Sequence, residues 1–327
     1  MIKGFWKKLP RPFFALAPMA DVTDPAFRRI IARAGKPDVM WTEFVSCAGL
    51  CSQKGRVVLL HDLAFSEKER PIVAQLFGSD IAQMEESVRL VRSLGFDGVD
   101  INMGCPDRAI EKQGAGAALM KNPKLAKALI EAAKRGAGTM PVSVKTRLGY
   151  STNTLKSWLP VLLEAEPSAI TIHARTRKEL SNVPAQWEAL REAVSIARKF
   201  DSSKTRPLII GNGDVRDIED ATHKAEEFGV DGVMLGRAIF GNPWLFAKKA
   251  SLRNPTVAKR LTMMVSHAKL YERLNKAKKP FAVMKKHFKA YVNGFDGAKE
   301  LRVILMGTNS SKEVEKEVKR FILTYRD

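Results

Sequence analysis

Apolar residues recur along this chain in two rhythms. Short runs stand at FFALAPM (13–19), VMWTEFV (39–45), PIVAQLF (71–77), GVDINM (98–103), PVSVKT (141–146), AITIHA (169–174), PLIIGN (207–212) and GVMLGR (232–237). They are rich in β-branched residues and bounded by Gly, Pro or Asp, as expected of parallel strands buried on both faces. Between them apolar positions return at helical spacing, as in DIAQMEESVRLVRSLG, NPKLAKALIEAAKRG, TLKSWLPVLLEA and DIEDATHKAEEFG. Asp or Asn opens several of these stretches and Gly closes some. Eight β/α repeats in about 240 residues predict an α/β fold of the TIM (β/α)8 barrel type. A doubly wound open sheet is the alternative, and it would carry a dinucleotide fingerprint. The nearest match, GAGAAL at 114–119, lacks the last glycine and does not directly follow a strand.

After Trp244 the strand signals stop. The remainder reads as helices: TVAKRLTMMVSHAKLYERL, PFAVMKKHFKAYVNG, DGAKELRVILMG and SKEVEKEVKRFIL. This predicts a barrel domain over residues 1–245 and a small C-terminal α-helical bundle over 246–327. The division coincides with a change in charge. The chain of 327 residues has 55 Lys and Arg against 35 Asp and Glu, a net of +20. Residues 247–327 hold 20 basic against 7 acidic residues, a net of +13; the preceding 246 hold 35 against 28, a net of +7. Such a tail suits a polyanion such as nucleic acid, and a solvated basic helix surface is the plainer reading. Three cysteines (Cys47, Cys51, Cys105) make no disulfide framework and favour a reducing cytoplasm. No apolar run of about 18 residues or more spans a membrane. The opening MIKGFWKKLPRPFFALAPM is too broken by proline for a signal peptide.

In TIM barrels the chemistry lies at the C-terminal ends of the strands. Here nearly every strand delivers a polar or cationic residue to that rim. Gln75 lies in the third run, Asn102 and Cys105 at the exit of the fourth, and Lys145 and Arg147 at the fifth. His173, Arg175 and Arg177 follow the sixth, Asn212, Gly213 and Asp214 the seventh, and Gly236 and Arg237 the eighth. The loops after strands seven and eight, GNGDV and GRAIFGNP, fit a phosphate cradle. Lys145 suits the electron-rich edge of a cofactor such as a reduced flavin, or pairs with a nearby carboxylate. Cys47 and Cys51 are assigned to packing or to the loop after strand two, since too few thiols and histidines accompany them for a metal site. Cys105, in INMGCPDR, stands past its strand in a loop between Gly and Pro, where it packs, binds metal or does chemistry.

Taken together, APMADVTDPAFR (17–28), AQLFG (74–78), DINMGCP (100–106), QGAGAALM (113–120), VKTRLG (144–149), IHARTR (172–177), GNGDV (211–215) and GRAIFGNPW (236–244) resemble the dihydrouridine synthases. These are flavin-dependent enzymes that reduce uridine in tRNA. The helical tail, with MKKHFKAYVNGFDGAKELR (284–302), is similar to the family's tRNA-binding domain. The resemblance implies FMN as cofactor and NADPH as reductant. It implies that Pro18, Met19 and Ala20 pack along the FMN, and that Gln75, Lys145 and His173 bond its ring system. Asn212, Gly213, Asp214, Gly236 and Arg237 would hold its phosphate end. Asn102 would lie beside the uracil, with Arg147, Arg175 and Arg177 near base or RNA phosphate. Cys105 would be the general acid. In the tail, Lys278, Lys279, Lys285, Lys286, Lys289 and Arg302 would grip tRNA, and the resemblance leans towards a monomer. Two rival readings remain at this level: another FMN-dependent barrel of the dihydroorotate dehydrogenase kind, and a basic RNA-binding barrel without catalysis.

Overall fold

The computed structural model describes residues 4–200, 206–275 and 278–325. Eight strands, β1 (Phe13–Leu16), β2 (Met40–Ser46), β3 (Ile72–Phe77), β4 (Gly98–Asn102), β5 (Val142–Arg147), β6 (Ala169–His173), β7 (Leu208–Asn212) and β8 (Gly232–Leu235), form one parallel sheet. β1 pairs with β8, and a bridge from Ala15 to Val39 joins it towards β2, closing a TIM barrel. β1 stops at Leu16, short of the run's end at Met19, because Pro18 has no N–H to give the ladder. The helices between strands are α1 (Pro25–Ala34), α2 (Cys47–Cys51), α3 (Gln53–Leu59), α4 (Ile81–Ser93), α5 (Arg108–Glu111), α6 (Pro123–Ala137), α7 (Leu155–Glu164), α8 (Glu188–Phe200) and α9 (Ile218–Phe228). Their starts follow from capping. Asp24, Asp80, Asp107, Asn122 and Asp217 each accept N–H bonds from the first turn of the helix that follows. After β8 come α10 (Val257–Asn275), α11 (Met284–Tyr291), α12 (Ala298–Met306) and α13 (Ser311–Thr324). No helix among the described residues is long and apolar enough to cross a membrane.

The chain forms two compact units. The first comprises Met1–Met19, Asp38–Ala64 and Arg70–Gly236. Its barrel is filled at the N-terminal end of the strands by Trp6, Phe13, Trp41, Val73, Ala169 and Leu208. Trp6 is the plug, with its ring centroid 5.7 Å from Phe13 and 6.0 Å from Trp41. With that end closed by apolar packing, polar groups inside the barrel are confined to the opposite end.

The second unit comprises Ala20–Pro37, Phe65–Glu69 and Arg237–Asp327, so it starts upstream of residue 246 and takes in α1. Arg28 and Glu69, both fully buried, join the two early segments through a 2.8 Å bond from Nε to Oε2. Phe27 on α1 stacks on His267 of α10, at 4.9 Å, and lies 4.8 Å from His287 of α11. The two imidazoles are 4.6 Å apart and fully buried, and none of their nitrogens has a hydrogen-bond partner among the described residues. Burial first, and the neighbouring imidazole second, hold His267 well below its usual pKa; burial lowers His287 to about 3. A folded-state pKa below the unfolded value means that the unfolded chain binds more protons, so stability falls as pH drops below about 6.5. His287 alone is expected to remove about 2 kcal/mol by pH 5. A pH series of hydrogen-exchange protection in α10 and α11 checks this. His287→Phe should make the dependence shallower and leave the part that His267 contributes, and unchanged protection between pH 7 and 5 would contradict it.

Candidate active site

Side chains alternate across a strand. That rule brings the rim residues together. Register pairs Gln75 with Asp100, Asp100 with Ser143, Asn102 with Lys145, Lys145 with Thr171, and His173 with Asn212. Gln75, Asn102, Lys145, His173 and Asn212 therefore stand on successive strands, each two residues beyond an interior position. Asp100, Ser143 and Thr171 form the layer beneath Asn102, Lys145 and His173.

The lower layer is wired to the upper one. The buried carboxylate of Asp100 accepts from Ser143 Oγ at 2.6 Å and from Gln75 Nε2 at 2.7 Å. Gln75 Oε1 accepts from Asn102 Nδ2 at 3.1 Å. Asn102 Oδ1 accepts the backbone N–H groups of Gly104 at 3.1 Å and Cys105 at 2.9 Å. Burial raises Asp100 to about 6, against hydrogen bonds from Gln75 and Ser143 and the charge of Lys145. Lys145 is lowered to about 8, by burial first and then by Arg147, with Asp100 opposing. Its amine makes no hydrogen bond or ion pair among the described residues, so the paired-lysine reading is not what the geometry shows.

Cys105 is half-buried in the loop that leaves β4. Its carbonyl accepts the N–H of Ala117 at 3.0 Å. Gly116, at φ +60°, passes so close that a Cβ there would lie 2.8 Å from the Cys105 oxygen. The glycine run at 114–119 thus braces this loop. Burial raises the thiol pKa above its ordinary value; Arg147 and Lys145 pull the other way and are outweighed. The thiol is protonated at neutral pH.

The three arginines are committed to the protein. Arg147 is buried and donates to the carbonyls of Gly104 at 2.7 Å and Thr176 at 3.2 Å. Burial above all lowers its pKa, to about 10. Arg175 donates to Val183 O at 2.6 Å, pairs with Asp214, and lies 3.2 Å from His173 Nε2. Arg177 forks onto both oxygens of Glu111 and sits 5.2 Å over the ring of Tyr150. These bonds order the loops around the strand ends, a role beyond the base or phosphate contacts expected from the sequence.

Asn212 Nδ2 is tied to Met234 O at 2.8 Å. Gly213, at φ +125°, lets the chain pass His173, whose Cδ2 would be 3.1 Å from an added Cβ. Asp214 turns back to Arg175 and to the N–H of Ala185, so its carboxylate serves the loop. Pro18, Met19 and Gly236 are half-buried in the barrel unit, with Met19 Sδ 3.6 Å from where a Gly236 Cβ would be; Ala20 and Arg237 are exposed and belong to the second unit. In that unit Lys278 and Lys279 follow α10, Lys285, Lys286 and Lys289 lie on α11, and Arg302 lies on α12, all at least partly exposed. Lys286 Nζ is 3.8 Å from Asp21. Sequence reasoning passed over Asp100, Ser143 and Glu111. The one available signal was an aspartate inside an apolar strand, in GVDIN.

The family model described as "Dihydrouridine synthase" matches residues 15–325. A "Probable tRNA-dihydrouridine synthase" of Staphylococcus aureus (strain MRSA252) is 42% identical over 315 residues, 96% of this chain and 94% of that protein. "Probable tRNA-dihydrouridine synthase 2" of Bacillus subtilis (strain 168) is 40% identical over 329 residues, 100% of this chain and 99% of that one. Among solved structures, a 2-naphthoyl-CoA reductase in complex with 2-naphthoyl-CoA shares the fold. Its TM-score is 0.55 at 10% identity, covering 71% of this chain and 49% of that one.

Proposed function

We propose, since this chain belongs to the dihydrouridine synthase family, that it reduces the 5,6-double bond of specific uridines in tRNA. It is a flavin-dependent oxidoreductase, with FMN as cofactor and NADPH as reductant, acting as a monomer in the cytoplasm. The observation that carries the mechanism is Cys105: a protonated thiol, anchored by Asn102 at the mouth of the barrel, within electrostatic reach of Lys145.

The residues fit a flavin. Lys145 brings an amine with uncommitted donors to the strand ends, where the ring system's carbonyl edge needs them. His173 stands on the neighbouring strand β6, and Gln75 on β3, one strand beyond Asn102. Asn212, Gly213 and Gly236 suit the phosphate end, because a backbone at positive φ at Gly213 lets N–H groups approach an anion. When bound, FMN supplies the hydride that adds to C6 of the uracil. Cys105, on the other face of the base, gives its proton to C5 as general acid. The resulting thiolate takes a proton from solvent, so hydride and proton balance across the reduced bond. Asn102 holds the Cys105 backbone while the thiol acts. A base stacked inside folded tRNA must be extruded to reach this rim.

The second unit supplies backbone affinity. Charge reversal of Lys285, Lys286 and Lys289 to Glu is expected to raise the tRNA Kd. It should also lower the slope of log K against log salt by about 0.7–0.9 per lost phosphate contact. NADPH oxidation by the flavin should be unchanged; a wild-type Kd in the triple variant would remove this role. The reading as a whole is tested anaerobically. NADPH-reduced protein is mixed with unmodified tRNA transcript and the flavin absorbance followed. Reoxidation by tRNA, but not by orotate or fumarate, supports the assignment. Flavin that stays reduced would overturn the substrate.

A further inference from the structure

The buried carboxylate beneath the rim has no part in the steps above. We propose that Asp100 is a positioning residue that sets the polarity of the chain of amides leading to Cys105, and so holds the thiol loop in its working position.

An ionised carboxylate only accepts. Gln75 must therefore turn Nε2 inward to Asp100, at 2.7 Å. That leaves Oε1 outward, able only to accept, and Asn102 must meet it with Nδ2, at 3.1 Å. Asn102 Oδ1 is then forced towards the loop, where it takes the N–H groups of Gly104 and Cys105. One buried group thus fixes two amide orientations in series. Without it, either amide has a second orientation that sets donor against donor at the loop, which a buried site does not tolerate. Ser143 Oγ, at 2.6 Å, satisfies the other oxygen of Asp100 and fixes its plane. A simple packing role is a poorer account, because an apolar residue would fill an interior barrel position without orphaning anything.

The catalytic consequence rests on the function proposed for Cys105, but the relay itself does not. The test therefore reads the loop without turnover: the rate at which iodoacetamide alkylates Cys105, resolved from Cys47 and Cys51 by peptide mass. Asp100→Asn is expected to speed alkylation by about two- to tenfold, the scale of one lost hydrogen bond. Gln75→Met should do the same. Asp100→Asn in the Gln75→Met background should add nothing, since the chain is already cut. The swap D100N/Q75E moves the acceptor-only group one place along. The bond between positions 100 and 75 reverses, but the new carboxylate still accepts from Asn102 Nδ2 and the new amide oxygen still accepts from Ser143 Oγ. Asn102 therefore keeps its orientation, and the wild-type rate should return to within about twofold. If Asp100→Asn fails to fold, Ser143→Ala replaces it in the same cycle, again faster alone and without effect beside Gln75→Met. An unchanged rate in Asp100→Asn, multiplicative effects in the double variant, or no recovery in the swap would each overturn the relay. In turnover, Asp100→Asn should lower kcat with the KM for tRNA unchanged. Altered alkylation with unaltered kcat would keep the relay and remove Cys105 from the chemistry.

Discussion

Replacing Cys105 with alanine is expected to slow dihydrouridine formation by about 10²–10⁴-fold, the range that a positioned general acid contributes. Flavin content and tRNA affinity should stay at the wild-type level, because the side chain contributes only a contact with the Asp107 backbone N–H and the loop is held mainly by other bonds. Those bonds use its backbone: the N–H to Asn102 and the carbonyl to Ala117. The thiol suits an acid better than a nucleophile, since burial raises its pKa and leaves it protonated at neutral pH. The same shift fixes the sign of the pH dependence. The acid form is required, so turnover should be flat through neutrality and fall as pH rises through the thiol pKa, beyond the ordinary thiol range. Single-turnover product formation from tRNA, measured against pH, checks both statements. A Cys105→Ala enzyme with full activity would remove the proton-donor role. A profile that climbs with pH would point instead to a thiolate.

The strands and the rim were legible because both follow local rules. Eight β-branched runs bounded by turn residues fixed the barrel, and period two placed Gln75, Asn102, Lys145, His173 and Asn212 at one end. The helical tail was equally plain from its spacing: α11 and α12 fall inside the stretches read as helical, and α10 and α13 each run one residue past theirs. What was hidden lies in pairings between residues distant in sequence. A rim arginine reads as a cation available to RNA. Whether it is available depends on Glu111 for Arg177, and on the carbonyls of Gly104 and Thr176 for Arg147. Asp100 meets Gln75 only because β3 and β4 pair in that register. The membership of α1 in the second unit was hidden for the same reason. Its amphipathic face looks like that of any barrel helix, and only contacts such as Phe27 with His267 and His287 show where it packs.

The largest stability effect outside the active site should come from Glu69. Its carboxylate meets Arg28 Nε at 2.8 Å with both side chains fully buried, and also accepts the N–H and Oγ of Ser66 at 2.8 and 2.9 Å. Arg28 further donates to Thr23 O at 2.7 Å. Glu69→Ala strands a buried guanidinium and is expected to cost about 3–5 kcal/mol. Replacing both partners is different in kind, because two charges no longer need to leave water. Arg28→Met with Glu69→Leu should cost far less than Glu69→Ala alone and is expected to be close to neutral. Hydrogen exchange across α1 measures this directly, since that helix carries Arg28. Its slowest amides should lose about 10²-fold or more of their protection in Glu69→Ala and recover most of it in the double replacement. If the double variant were as weak as the single one, the pair would be holding Ala20–Pro37 to Phe65–Glu69 by its attraction. If it recovers, the pair sets which segments meet, and the apolar packing of α1 supplies the stability.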